Sequence, residues 1–178
     1  MLQALLACDV SVDSYDGYGR PALLSVASEG HVGAVKMLLA AGADVNNQDV
    51  QFGRHDALQL AVKEKHLDVV QALLAAGADL NTRDAKRATA LHYAARRADA
   101  TMMEALVAAG ADCSARDRKR RSVLAWAAQT GRPAAVQKLL ELGAPVDALA
   151  IAVAADAANP KPLEALLTAA GANLLSIL

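Results

Sequence analysis

The chain has 178 residues, 54% of them hydrophobic but only 3% aromatic, and a formal net charge of −1. Alanine and leucine dominate, which favours close-packed helices over a β-sandwich, and the near-neutral balance gives no global pull toward nucleic acid or a membrane surface. No uncharged apolar run of about 18 residues is present to span a bilayer, and the two cysteines, Cys8 and Cys113, have neither metal-ligand spacing nor a disulfide framework.

In chain order, "MLQALLACDV" lacks a basic n-region, and its apolar run before Cys8 is too short for a secretory signal. A cytoplasmic location is therefore expected, unless an upstream signal has been removed. Leu5-Leu6-Ala7 align without a gap on Leu38-Leu39-Ala40, 33 residues later, so residues 1–15 read as the second half of a repeating unit. The chain thus opens inside a second helix, and an apolar flank there is expected to need cover. Glycines then mark the register at Gly42, Gly77, Gly110, Gly143 and Gly171, in steps of 35, 33, 33 and 28 residues. A period of this length signals a stacked-repeat fold. The units are 16–48, 49–83 (two residues longer, in "DVQFGRHDAL"), 84–116, 117–147 and a shortened 148–178, together one domain over 1–178.

Each unit reads as hairpin, helix, turn, helix. The second helices "VGAVKMLLAAG", "LDVVQALLAAG", "ATMMEALVAAG" and "PAAVQKLLELG" carry apolar residues at i, i+3, i+4 and i+7 and stop at a glycine, which takes a left-handed backbone without a Cβ penalty. The first helices are shorter and Ala-rich: "PALLSVASEG", "DALQLAVKEK", "TALHYAARRA" and "SVLAWAAQTG". Asp56, Thr89 and Ser122 stand where an N-cap belongs. Asp16, Asp49, Asp84 and Asp117 head the intervening polar stretches, as suits a tight turn. The last unit is expected to lose its hairpin. No unit buries its own apolar face, so the units must stack.

The segment "RATALHYAARRADATMMEALVAAGADCSARD" resembles the ankyrin repeat pattern D-x-x-G-x-T-P-L-H-x-A-A-x-x-G-H-x-x-V-V-x-x-L-L-x-x-G-A-D-V-N, and the likeness covers nearly the whole chain. The T-P-L-H tetrapeptide is degraded to "PALL", "DALQ", "TALH" and "SVLA", so only His92 keeps the family histidine. The resemblance implies an all-α solenoid of helix-turn-helix units joined by short β-hairpin loops. It also implies a non-enzymatic module that binds a protein through hairpin tips and a concave face formed by the first helices. Bacterial members of the family include effectors and inhibitor or immunity-type proteins, and the Ala-rich, Lys-poor composition fits a GC-rich bacterial genome.

Chemical signatures are missing: the chain has no GxGxxG, GxxxxGK[ST], GxSxG, HExxH or CxxC, and neither catalytic residues nor a cofactor is expected. Function is sought where the copies differ. From residue 83 to 121 ten Lys and Arg face five Asp and Glu, net +5, against −6 for the rest. Arg83, Lys86, Arg87, Arg116 and the run Arg118, Lys119, Arg120 and Arg121 fall in two hairpins, and Arg96 and Arg97 at variable positions of the first helix behind them. Stacking is expected to merge them into one basic patch that takes an acidic protein partner. The competing readings are ordinary solvated charge, a nucleic-acid or anionic-lipid surface, and a structural spacer within a longer protein. No base-stacking aromatics interleave the basic run, which weighs against nucleic acid. Tyr15, Tyr18, Phe52 and His55 lie in earlier hairpins as candidate anchors, although Phe52 could equally fill a gap under the insertion. His31, His66 and His92 read as structural or surface residues, Cys113 as a small buried hydrophobe, and Tyr93 and Trp126 as packing between repeats. A monomer is expected.

Overall fold

The computed structural model describes residues 12–17, 19–156 and 160–175. Ten helices follow one another among these residues: α1 Ala22–Ser28, α2 Val32–Ala40, α3 Ala57–Glu64, α4 Leu67–Ala75, α5 Ala90–Arg97, α6 Ala100–Ala108, α7 Val123–Ala128, α8 Pro133–Glu141, α9 Ala148–Ala155 and α10 Lys161–Leu175. They pair as consecutive helix-turn-helix units. The chain divides into two compact units, Met1–Lys86 and Arg87–Leu178.

In the first unit α1 packs on α3 and α2 on α4, while each pair packs internally. Leu23, Leu24 and Ala27 of α1 and Leu58, Ala61 and Val62 of α3 are buried between the first helices. Val35, Leu38, Val69, Val70 and Leu73 of the second helices are buried with them. The second unit repeats the scheme, with α5, α7 and α9 in one row and α6, α8 and α10 in the other. Its core holds Leu91, Met102, Met103, Leu106, Leu124, Val136, Leu139 and Leu166. Alanines 94, 95, 127 and 128 are fully buried, and their small side chains let the first helices approach closely.

Second helices end as the glycines predict: Gly42, Gly77, Gly110 and Gly143 have φ of 90°, 84°, 102° and 83°. Gly171 does not. It lies inside α10, which continues to Leu175, so the fifth marker glycine terminates nothing. Helix starts are capped by Asp56 (on the Gln59 N–H, 2.7 Å) and Ser122 (on the Ala125 N–H, 3.1 Å). Asp99 and Asp147 cap two further helices, on the Met102 and Ala150 N–H groups. Asp147 caps α9 only four residues after Gly143, without a hairpin between them.

The recurrent "GAD" tail joins one repeat to the next. Asp44, Asp79 and Asp112 each accept the N–H two residues on, at 2.8–2.9 Å. The Asp79 N–H is in turn held by Asn46 of the preceding copy (2.8 Å), and the Asp44 N–H by Asp13 (3.0 Å). Cys113, on the same tail, is half-buried rather than buried, with its Sγ 3.8 Å from the Leu142 carbonyl oxygen. Burial, seconded by Asp112, pushes its thiol pKa up.

The family histidine works as a link within the second unit. His92 is buried, and its Nδ1 accepts the Thr89 N–H at 3.2 Å. That leaves the proton on Nε2, which faces the Arg121 carbonyl at 3.4 Å. Gln59 stands at the same position in "DALQ" and does both jobs with an amide. Its Oε1 accepts the Asp56 N–H, and its Nε2 donates to the Thr82 carbonyl at 2.9 Å.

Candidate interaction surface

Each hairpin is clamped from inside by its leading aspartate. The Asp49 carboxylate accepts the N–H groups of Phe52, Arg54 and His55; Asp84 accepts that of Lys86; Asp117 accepts those of Lys119 and Arg121. All three carboxylates are buried. Asp16 does the same for Arg20 at 2.9 Å from an exposed position. Single antiparallel bridges close three of the loops: Tyr15 with Pro21, Gln48 with Asp56 and Arg116 with Ser122. The tips are therefore held in shape by internal bonds, with Val50, Phe52, Lys86, Arg118, Lys119 and Arg120 exposed on them.

In the first unit this exposes large apolar groups. Tyr15 is 49% exposed, Val50 64% and Phe52 51%. Phe52 thus fills no gap under the insertion; the Arg20 guanidinium lies 5.5 Å over its ring. Tyr15 donates its hydroxyl to Asn47 (2.9 Å) and, with Val50, Asn46, Asn47, Gln48 and Arg54, lines an open cleft of about 470 Å³. His55 does not join them. It is 8% exposed, its Nδ1 lies 3.3 Å from the Gly53 carbonyl and 3.9 Å from Asp84, and the extended loop folds it inward. Burial, with the Lys63 charge, lowers its pKa against the opposing pull of Asp84 and Asp49. Tyr18 lies outside the described residues. Arg83 and Lys86 are exposed in this unit.

In the second unit Arg87, Arg96, Arg97, Arg118 and Lys119 are exposed. Arg116 is partly engaged, donating to the Arg120 carbonyl at 3.0 Å and lying 3.8 Å from Asp147. Arg121 is a correction. Its side chain is only 23% exposed, pairs with Asp117 at 2.7 Å and lies 5.2 Å over the Trp126 ring. Trp126 also donates its Nε1–H to Asp117 (2.9 Å), and Arg96 reaches its ring at 6.0 Å. Burial raises the Asp117 pKa, but the bonds from Trp126 and Arg121 outweigh it and hold the carboxyl below its ordinary value. Tyr93 and Trp126 pack edge to face at 5.5 Å and are 5% and 3% exposed, as expected of inter-repeat packing.

Sequence reasoning passed over Val50 and Arg20, and it counted Arg120 in the basic run without setting it apart from Arg121. Arg120 is exposed at the very tip, where Arg121 is not. The available signal was position: Arg120 falls three residues after Asp117, where the repeat pattern has glycine. Among the described residues no cluster of His, Cys, Asp or Glu could hold a metal ion, and no helix is long and apolar enough to cross a membrane.

A family model described as ankyrin repeats (3 copies) matches residues 1–84 and 58–150. No curated protein matches the chain.

Proposed function

The chain belongs to the ankyrin repeat family, whose members are generally protein-interaction modules, and on that premise we propose that it is a non-enzymatic binder of a protein partner. The observation that carries the reading is the set of half-exposed Tyr15, Val50 and Phe52 on loops clamped by internal bonds. Large apolar groups on pre-shaped loops bury area on binding with little ordering penalty. The exposed Arg118, Lys119 and Arg120 support a partner with an acidic surface, since they steer encounter and orient it. Burial of Tyr93 and Trp126 removes the second unit's stacking faces and weakens the nucleic-acid reading.

The test is capture on the immobilised chain from lysate of its source. Two variants serve as comparisons, Tyr15→Ala/Phe52→Ala and Arg118→Glu/Lys119→Glu/Arg120→Glu; Arg121 is left intact because it is structural. A partner protein should be captured by the wild-type chain and lost, by about tenfold or more, from each variant. An unchanged capture profile in both sinks the proposal. An effector, inhibitor or immunity-type role is a narrower form of the same reading, tested by titrating the chain against the captured partner's own activity.

A further inference from the structure

Three hairpins share one backbone conformation and fill it with different residues. Three places after the leading aspartate the backbone is left-handed: Gly19 after Asp16 with φ 70°, Arg87 after Asp84 with φ 60°, and Arg120 after Asp117 with φ 61°. An L side chain there sets its Cβ against the following carbonyl, so the two arginines are strained where glycine is not. The turn itself does not require them. In the first hairpin Gly19 makes it, donating its N–H to the Asp16 carbonyl at 2.9 Å. In the fourth, the Arg120 N–H makes the same bond to the Asp117 carbonyl at 2.9 Å. The clamp around it is all backbone and neighbours: the Lys119 and Arg121 N–H groups on Asp117, and the Arg116 guanidinium on the Arg120 carbonyl. The guanidinium groups of Arg87 and Arg120 stand in solvent, and among the described residues no acid pairs with either.

Arg54, Lys65 and Ala98 are left-handed too, so strain marks a position without naming its partner. What sets Arg87 and Arg120 apart is that both guanidinium groups are exposed, stand at equivalent places of successive hairpins and have no acid beside them among the described residues. We propose that Arg87 and Arg120, equivalent residues of successive hairpins, are the specificity pair of the basic surface and take two carboxylates of an acidic polypeptide segment. The inference rests on the protein-binding reading and narrows it to a partner chemistry. A guanidinium fork pairs bidentately with a carboxylate, so two of them one repeat apart read discrete points along a chain. Arg118 and Lys119, beside them, add field without that spacing. The Arg87–Leu178 unit offers no aromatic face for a nucleic-acid base, since Tyr93 and Trp126 are buried.

The test compares the full chain with Arg87→Gly/Arg120→Gly and Arg118→Gln/Lys119→Gln, two variants that each remove two positive charges. Binding is measured to a fluorescein-labelled peptide of about 16 glutamates and, separately, to an oligothymidylate of similar length. The glycine variant should melt higher by about 2–4 °C per arginine and bind the peptide about tenfold more weakly, with the glutamine variant weakened less. Equal peptide binding by wild type and glycine variant overturns the proposal, as does a glycine variant that melts no higher. Tighter binding of the oligothymidylate than of the peptide also overturns it, in favour of a nucleic-acid surface. If the wild-type chain binds no peptide, the acidic-segment chemistry fails, while the protein-binding reading still stands or falls on the Tyr15/Phe52 capture.

Discussion

Asp117 touches more of the fourth hairpin than any neighbouring side chain: it accepts from the Lys119 and Arg121 N–H groups, the Arg121 guanidinium and the Trp126 indole. Removing it leaves a partly buried guanidinium and a buried indole N–H unpaired, which is the costly case. Asp117→Ala should lose about 3 kcal/mol of stability. Denaturation followed by the fluorescence of Trp126, the chain's one tryptophan, reads both the loss and the change at the ring. A midpoint unchanged by the substitution contradicts this account of the clamp. Single residues also show what pattern reading could and could not see. The aspartates heading each hairpin were legible, because only a short acceptor side chain closes such turns. The inward turn of His55 and the docking of Arg121 on Trp126 were not. A one-dimensional pattern marks hairpin positions, but it does not say which side chains the two-residue insertion or a neighbouring ring draws inside.

At the level of the element, helix ends set the balance. Burial raises the pKa of Asp56, the cap of α3, from an ordinary 3.8 to about 6, despite the stabilising bond from the Gln59 N–H. The folded protein therefore holds a proton there that the unfolded chain releases near pH 4, so stability from this group is present below pH 4 and is lost as pH rises to about 6. The loss amounts to about 3 kcal/mol if the whole shift is expressed. Asp56→Asn keeps the acceptor and should flatten this slope; urea titrations at pH 4.5 and 7 measure it, and a slope equal to wild type refutes the assignment. At the other end of a first helix, Ala98 caps α5 with φ 53°, where Gly30 and Gly131 serve α1 and α7. Ala98→Gly should stabilise by about 1 kcal/mol, seen as a higher urea midpoint. Glycine as a stop signal was legible four times, and Gly171 shows its limit: a glycine ends a helix only where the following backbone has somewhere else to bond.

At the level of the whole molecule, charge is partitioned along the chain. Residues 1–86 carry seven Lys and Arg against eleven Asp and Glu, net −4, and residues 87–178 carry eleven against eight, net +3. Association with an acidic partner should therefore slow as salt rises, since the screening length falls from about 10 Å at 0.1 M to about 3 Å at 1 M. Stopped-flow rates should drop about tenfold across that range for the wild-type chain. The Arg118→Glu/Lys119→Glu/Arg120→Glu variant takes residues 87–178 from +3 to −3, so its rate should no longer fall as salt rises; an equally steep fall in that variant places the steering elsewhere.

The 33-residue period and the apolar spacing of its helices determined the all-α repeat fold by themselves, because a unit that cannot bury its own face has to stack on its neighbour. The same letters located the hairpins and the basic run. Which of those residues are available to a partner was decided only in three dimensions. Arg120 and Arg121 are adjacent and chemically identical, yet one stands in solvent on a strained backbone while the other lies on Trp126 and bonds Asp117. Exposure depends on where the neighbouring helix places its ring and on the hand of a single backbone turn, and no sequence period encodes either.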